Sequence, residues 1–466
     1  MRHFFKKSAL VLVVLFLSLS FLTAVLYCKE EKPQSPPLSL SLRETIEMAL
    51  ANNKDIQIQE QEVAYSKANI QSAQSKFFPA FSMGYSYNYS EAFLSLSSLS
   101  SPSAIKDPGL FIGYKNDNQA NVAGNQMIYD GGASIANLKQ ARVNLKIQEE
   151  TLRSRRLDIE FEAKRLFYGL LLGYETLRIT QNLVDQAEEH YKNVRTKYEQ
   201  GTSSRFDVLQ SRVEVSKLMP SLIQAQNSIE IISNDLKKLL YLNMDGVIKI
   251  KGDFSYLPVD IKLEDFLNEA YQKSPQVHLK LLGVDLQKWA IEYARSGYYP
   301  NINAGTNYLF RSDSLTNMFN RRHDNWTIGA SGTVSIFDGM STKARVDEAK
   351  ARYEQATLEK ENVYEQIAVD IRRGCLDMKE AQAVILSQKD SIAEAKDALN
   401  ISYIGYDNGV MINLNVIDSQ VSLSQVEKNL ASGIYDYIMA KAFLDKVMGH
   451  EYLSTKEERS FSRHDQ

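Results

Sequence analysis

Apolar residues recur at three- and four-residue steps over one very long stretch in each half of the chain. The first stretch, residues 133–200, contains no proline and places apolar side chains on one helical face at Ile159, Ala163, Leu166, Leu170, Tyr174 and Leu177. The second stretch, residues 340–408, repeats the pattern. Because a helix rises 1.5 Å per residue, each stretch predicts a continuous rod roughly 100 Å long.

Each long stretch has two shorter helical segments beside it in the sequence. They cover residues 42–75 and 206–242 in the first half, and 263–296 and 414–449 in the second half. In each half the two short segments together are about as long as one rod. We therefore expect them to stack end to end along the rod, which gives a mainly α architecture.

Between the helical stretches the hydrophobic pattern changes to a period of two. Phe81, Met83, Tyr85, Tyr87 and Tyr89 alternate with small or polar residues. Such ten-residue segments are typical of membrane β-barrel strands, and a soluble antiparallel sheet with one covered face would show the same alternation. Two predicted hairpins, with strands at about 80–129 and about 301–337, supply four strands. Four strands are too few to close a barrel, so a barrel requires several chains.

Short marks recur at a fixed spacing and indicate two structural repeats. Aromatic-Asp-Gly and Tyr-x-x-Gly marks return 208 positions later, and an aromatic-Pro mark returns 221 positions later. The residues that define them are Pro79 and Pro300, Gly131, Gly132 and Gly339, and Gly201 and Gly409. The prolines predict helix-to-strand junctions, and the glycines at 131, 132 and 339 predict a strand-to-helix return with positive φ. Asp130 and Asp338 are interpreted as helix caps rather than metal ligands.

These marks divide the chain into six parts. The predicted parts are a signal peptide at 1–27, an N-terminal linker at 28–41, repeat 1 at 42–242, an equatorial insert at 243–262, repeat 2 at 263–449 and a C-terminal tail at 450–466.

The N-terminus predicts export from the cytoplasm. Arg2, Lys6 and Lys7 precede the apolar stretch 9–27, which reads as a signal peptide; the same stretch is long enough for an uncleaved membrane anchor. Cys28 follows it and is a candidate for lipidation, although Tyr27 stands where lipoprotein signals usually have a small residue. Export and the tyrosine-rich strand face together favour the membrane barrel over the soluble sheet.

Charge and the absence of catalytic motifs argue against nucleic-acid binding and against catalysis. With 54 basic and 57 acidic residues and a net charge of −3, the chain has no bulk signature of nucleic-acid binding. The six histidines are scattered, and no zinc-protease motif, phosphate loop or nucleophile elbow occurs. We therefore predict no catalytic residue, no bound metal and no cofactor.

The whole order of elements resembles one known family. Signal, helix, aromatic-Pro, strand hairpin, aromatic-Asp-Gly, very long helix, Tyr-x-x-Gly and helix, with all but the signal repeated, is similar to the TolC-type outer-membrane efflux proteins over roughly residues 42–449. The resemblance implies a homotrimer whose 12 strands form one membrane β-barrel, continuing into a long α-helical tunnel in the periplasm. No single mark is specific to the family, and the likeness rests on the repeated order of the marks.

The resemblance also implies a gate at the periplasmic tips, where Gly201 and Gly409 would form the turns. The pore constriction maps to Asp207, Asn415 and Asp418. Asn415 replaces one of two acids common in the family, and a solvated helix surface remains the alternative role for the two aspartates.

A second implied feature is a latch, meaning a contact that keeps the gate closed. It maps to Tyr406 and Asp207. Met411 occupies the position where the family pattern has an arginine, so the salt bridge that accompanies this latch in relatives is not expected here.

The implied function is a passive exit duct of a tripartite efflux pump or a type I secretion system. Its partners would be a periplasmic adaptor, an inner-membrane transporter and outer-membrane lipid, with no nucleic acid. The alternative is a periplasmic adaptor or another coiled-coil envelope protein without a channel. Adaptors usually flank one helical hairpin with a β domain, and no glycine-rich β run appears between 133 and 242.

Overall fold

A computed structural model describes residues 38–90, 94–95, 111–112, 116–259, 262–318 and 324–452. The predicted signal peptide, Cys28, most of the N-terminal linker and all but the first three residues of the C-terminal tail lie outside the described residues.

The first half contains the following elements: β1 (Leu38–Leu40), α1 (Leu42–Asn52), α2 (Lys54–Ser75), β2 (Ala80–Tyr89), β3 (Leu94–Ser95), β4 (Phe111–Ile112), β5 (Asn116–Asp130), α3 (Ala133–Glu199), α4 (Arg205–Leu240) and β6 (Ile248–Ile250). The second half contains α5 (Leu263–Lys273), α6 (Pro275–Arg295), β7 (Asn301–Ser312), β8 (Asp324–Thr333), α7 (Ser341–Asp407) and α8 (Asn413–Met448). The long helices α3 and α7 each have 67 residues, and α4 and α8 each have 36.

The short helices pack along the long ones as the sequence predicts. α1, α2 and α4 contact α3, while α5, α6 and α8 contact α7. α6 also packs against α3, and α8 does so as well, which joins the two halves. Much of the apolar stripe of each long helix is thereby covered, and Leu166 and Leu170 of α3 and Ile371 of α7 are buried.

Each of the predicted segments 42–75 and 263–296 is two helices rather than one. The first breaks at Asn53, whose extended backbone and side-chain oxygen cap α2 through the N–H groups of Asp55 and Ile56. The second breaks at Ser274, before Pro275. Both break residues are buried. They lie 221 positions apart, the spacing of the aromatic-Pro marks, so the break occurs at a corresponding place in each half of the chain.

Four of the strands form one sheet with the order β2-β5-β7-β8, while β1 pairs with β6 and β3 with β4. All pairs within the four-stranded sheet are antiparallel. β5 and β7 therefore join the two hairpins at the centre, while β2 and β8 lie at the sheet edges.

The strand register separates the sheet into an aromatic and a polar face, because residues paired across antiparallel strands share a face. The aromatic face carries Phe81, Met83, Tyr85, Tyr87, Val122, Tyr308, Phe310, Trp326 and Ile328. The polar face carries Ser82, Ser86, Asn88, Gln119, Asn121, Asn303, Asn307, Thr327 and Ser331. The last strand is shorter than the predicted range, because β8 ends at Thr333 rather than near 337.

The junctions between sheet and helices follow the repeated marks. Pro79 and Pro300 immediately precede β2 and β7. The glycines at 131, 132 and 339 have φ of +66°, +90° and +67°. Asp130 and Asp338 cap the helices that follow, since their carboxylates accept the N–H groups of Ser134 and Thr342 at 2.7 and 2.8 Å. The interpretation of the two aspartates as caps is confirmed.

The predicted equatorial insert, residues 243–262, is anchored in two ways that the sequence did not indicate. Its strand β6 pairs in parallel with β1, so the insert is tied to the N-terminal linker. Its later part is held by Tyr437, a buried residue of α8. The Tyr437 hydroxyl donates to the carbonyl oxygen of Leu257 at 3.0 Å and accepts the N–H of Val259 at 2.9 Å.

We expect Tyr437→Phe to loosen the insert. The substitution leaves two backbone groups without their partner, at a cost of about 1–3 kcal/mol for each group that stays buried. Amide hydrogen exchange should therefore speed up across residues 251–259. Tyr435→Phe is the matched control, because the Tyr435 hydroxyl makes no hydrogen bond to any described residue. Equal exchange in both variants would contradict the anchoring role.

No helix in the described ranges has an apolar stretch of the length and purity that a membrane-spanning helix requires.

Candidate functional site

The predicted gate residues lie at the tips of the two helical hairpins. The turn 200–204 joins α3 to α4, and the turn 408–412 joins α7 to α8. Gly201 and Gly409 have φ of +76° and +73°, in the left-handed region that disfavours residues with a side chain. The two tips are in contact, and several polar side chains cross between them.

Asp207 is tied into the start of its own helix. Its carboxylate accepts the N–H of Ser204 at 3.2 Å, and the N–H of Asp207 donates to Ser204 Oγ at 3.1 Å. This reciprocal pair is a capping box, which satisfies two N–H groups that the first helical turn leaves unbonded. The carboxylate thus has a local role in addition to any role in a pore.

Tyr406 reaches Asp207 only through a third residue. Its hydroxyl lies 3.4 Å from Ser203 Oγ, and Ser203 Oγ lies 3.4 Å from Asp207 Oδ2. Ser203 therefore stands between the two members of the predicted latch. Met411 packs closely against Gly405 of α7. A Cβ atom added to Gly405 would lie only 2.7 Å from Met411 Cγ, so the contact leaves no room for a side chain there.

Lys197 makes the charged contact between the tips. This residue lies in the last turn of α3. Its ammonium nitrogen is 2.9 Å from Asp407 Oδ1 and 4.6 Å from the centre of the Tyr406 ring. The sequence alone does not indicate this pair, because the two residues are 210 positions apart.

Asn413 is the centre of a buried polar cluster just above the tips. Its Oδ1 lies 2.7 Å from His190 Nε2 and accepts Ser211 Oγ at 3.2 Å. Its Nδ2 donates to Gln210 Oε1 at 3.1 Å and to the Asp207 carbonyl oxygen at 3.4 Å. Asn413 is only 2% exposed, and its bonds to His190 and Ser211 connect α8 to α3 and α4 in the protein interior.

The environment of His190 favours its uncharged form. The residue is 3% exposed, and burial lowers the pKa of its imidazole, while the hydrogen bond with Asn413 opposes that shift. Asn413 Nδ2 donates to two oxygens, the Gln210 side-chain Oε1 and the Asp207 carbonyl oxygen. The amide is therefore oriented with its Oδ1 facing the histidine. His190 Nε2 is therefore the donor. The rings of Tyr403 and Tyr406 lie edge-on to it, with centres 6.1 and 5.3 Å away.

Asn415 and Asp418 lie on the exposed side of the same end of α8. Asn415 Oδ1 accepts the N–H of Ile412 at 3.1 Å and so caps the helix. Both residues line one shallow groove against α7, and Asp418 also borders the groove between α4 and α8. The structure thus brings Asn415 and Asp418 together on one surface, whereas Asp207 is held by its own helix start.

The described part of the chain contains no group of three or more His, Cys, Asp or Glu side chains placed to hold a metal ion.

The family model for "Outer membrane efflux protein" matches residues 45–240 and 266–450. The chain belongs to this family. The two matched stretches correspond to the two halves of the fold, each with its long helix.

Several members of the outer membrane efflux protein family are similar to this chain. The outer membrane protein TolC of Vibrio cholerae is 23% identical over 64% of this chain and 71% of its own length. The alkaline protease secretion protein AprF of Pseudomonas aeruginosa is 18% identical over 64% of this chain and 63% of its own length.

Solved structures show the same fold. The Campylobacter jejuni CmeC outer membrane channel superposes with a TM-score of 0.78 at 18% identity, covering 91% of this chain and 89% of that one. VceC from Vibrio cholerae gives a TM-score of 0.75 at 16% identity, with coverage of 88% and 96%.

Family membership decides between the two functions that the sequence left open. This outer membrane efflux protein is an exit duct of the outer membrane with its helical part in the periplasm, and the adaptor alternative is not supported.

Proposed function

We propose that three copies of this chain close a 12-stranded barrel in the outer membrane, which continues into a periplasmic α-helical tunnel and serves as a passive exit duct. A periplasmic adaptor and an inner-membrane transporter would dock at the helical end and open it. The single observation that carries the proposal is the open four-stranded sheet with one aromatic and one polar face.

The sheet cannot be complete within one chain. β2 and β8 each have only one strand partner in the sheet, and an unpaired edge in a membrane leaves backbone N–H and C=O groups without hydrogen bonds. Joining β8 of one copy to β2 of the next removes both edges. Three copies give 12 strands, which make a wider barrel than the eight-stranded size whose interior side chains can fill.

The two faces fit a lipid outside and a water-filled inside. Phe81 and Ile328 on the aromatic face are 72% and 75% exposed in the single chain. At the outer strand ends the Tyr85 and Tyr87 hydroxyls bond to Asn118 and Asn116 on β5. Tyrosines at this level are expected at a membrane–water interface, where an apolar ring and a polar tip are both satisfied.

The helical part also exposes apolar residues that a second copy would cover. Phe206 and Val213 on α4 are 71% and 53% exposed, and Val410 and Ile412 at the second tip are exposed too. Burying apolar surface is favourable by about 25 cal/mol per Å². We infer that these surfaces contact neighbouring copies in the tube or docked adaptor helices at its end.

The cargo class follows from relatives only in outline. AprF is named as an alkaline protease secretion protein, and TtgC of Pseudomonas putida as a probable efflux pump outer membrane protein. The proposed duct therefore suits either small-molecule efflux or protein secretion, with the choice made by the inner-membrane transporter.

Native mass spectrometry of the detergent-purified protein tests the assembly. We expect a homotrimer. A stable monomer as the only species would contradict the proposal, because a single chain cannot close the sheet.

The proposed constriction places three copies of Asp418 around one axis. Carboxylates concentrated at a narrow opening favour cations, so Asp418→Ala should lower the cation-to-anion permeability ratio and weaken block by multivalent cations. With Asn415 in place of a second acid, we expect the wild-type block to be weaker than in relatives with both acids. Reversal potentials across a salt gradient measure the effect.

Asp245→Ala is the matched control for Asp418→Ala, because Asp245 is an exposed acid of the equatorial insert. It should leave selectivity unchanged. If Asp418→Ala behaves like this control, Asp418 is a solvated surface residue and the constriction lies elsewhere.

A further inference from the structure

The buried junction around His190 is unusual because an ionisable side chain supplies one of its cross-hairpin hydrogen bonds. His190 belongs to the first hairpin and Asn413 to the second, and the contact between them is 2.7 Å long. Asn413 extends the junction to Gln210 and Ser211 on α4. Separating the second tip from the first would break all of these bonds.

We propose that His190 is an acid-sensitive release point of the tip: the uncharged imidazole holds the second hairpin against the first through Asn413, and its protonation weakens this junction and frees the tip. The inference rests on the proposed exit duct, in which the tips form the gate. It concerns a histidine and an asparagine that lie outside the predicted constriction and latch.

Removal from water is what chiefly opposes a positive charge on His190, and Lys197 on α3 adds a smaller opposition. α7 contributes Tyr403, Tyr406 and Asp407 near the ring. Asp407 favours the imidazolium, but its carboxylate is paired with Lys197.

The two remaining helices offer little compensation for that charge. α4 contributes Asp207, whose carboxylate is engaged by Ser204, and α8 presents the neutral Asn413. Because Nε2 already donates to Asn413, the second proton goes to Nδ1 and charges a ring that is almost fully removed from water.

The sign of the pH effect follows from the direction of the shift. The closed junction lowers the pKa of His190, whereas a freed tip exposes the ring and returns its pKa to about 6.5. The closed state is therefore fully favoured above about pH 6.5 and loses stability as the pH falls toward the lowered pKa. In that window the closed-to-open ratio falls by up to tenfold per pH unit for each chain.

Amide hydrogen exchange on the purified full-length protein tests the release directly. After correction for the intrinsic exchange rate at each pH, protection across residues 402–415 should fall several-fold to about tenfold between pH 7.5 and 5.5. His190→Gln keeps a polar side chain without an ionisable ring and should abolish this change. His278→Gln, at a histidine of α6 beside Glu150, should retain it.

Two outcomes would overturn the proposal. One is wild-type protection that does not change between the two pH values, a result that needs no variant. The other is an equal pH response in His190→Gln. Single-channel recordings distinguish failure of the release point from failure of the proposed exit duct. No conductance at any pH contradicts the exit duct, while a conductance that does not change with pH contradicts only the release point.

Discussion

Ile328→Arg should prevent stable insertion of the protein in the outer membrane. Ile328 lies near the middle of β8 on the aromatic face and is 75% exposed in the single chain. An arginine on the lipid side near the bilayer centre costs about 2–4 kcal/mol, and a homotrimer would incur that cost three times. We expect little trimer in membrane extracts when its amount is measured by gel mobility of samples that have not been boiled.

The adjacent Thr327 provides the matched control. It pairs with Asn307 on the polar face, so Thr327→Arg would place the same charge in the water-filled lumen. This variant should assemble at close to the wild-type level and alter conductance only. Loss of the trimer in Thr327→Arg with a normal trimer in Ile328→Arg would reverse the assignment of the two faces.

Asn413→Ala should open the helical end of the duct. The substitution removes hydrogen bonds to His190, Ser211, Gln210 and the Asp207 carbonyl at once. Ser211 Oγ keeps its bond to the Asp207 carbonyl oxygen, but the buried His190 Nε2 loses its partner. One such group costs about 1–3 kcal/mol, which is enough to shift a gate equilibrium by about an order of magnitude. Single-channel conductance or open probability should therefore rise at neutral pH.

Asn408→Ala controls for a change of the same residue type at the same tip. Asn408 is exposed and its side chain bonds to Ile404 of its own helix. It should leave the gate closed. An Asn413→Ala channel that remains as closed as Asn408→Ala would show that the buried cluster does not hold the tips together.

The sequence could predict the large elements because they depend on long, regular patterns. The period-3.6 stripe of α3 and α7 extends over 67 residues in each helix, and the repeated Asp-Gly and Tyr-x-x-Gly marks locate their ends. The alternation in β2 and β7 likewise assigns the two faces that the strand register shows. A pattern of this length still predicts the element when a single residue departs from it.

Local breaks in helices and contacts between distant residues were harder to predict from the sequence. Asn53 splits a predicted helix because its side chain caps α2, a choice that competes with continuing the helix. The early end of β8 has no sequence signal, since Val334 and Ile336 continue the alternation.

The chemistry of the tip also depends on contacts between distant residues. His190 and Asn413 are 223 positions apart, and Lys197 and Asp407 are 210 apart. A single sequence indicates neither pairing. The Tyr406–Asp207 latch taken from the family resemblance omits Ser203, which lies between them only in the folded chain.

Single-channel recording of the purified wild-type protein in planar lipid bilayers tests whether the protein is an exit duct. We expect discrete, cation-preferring conductance from the homotrimer, small at neutral pH because the tips are closed. A purified trimer that inserts into the bilayer but never conducts, even as Asn413→Ala, would contradict the exit duct.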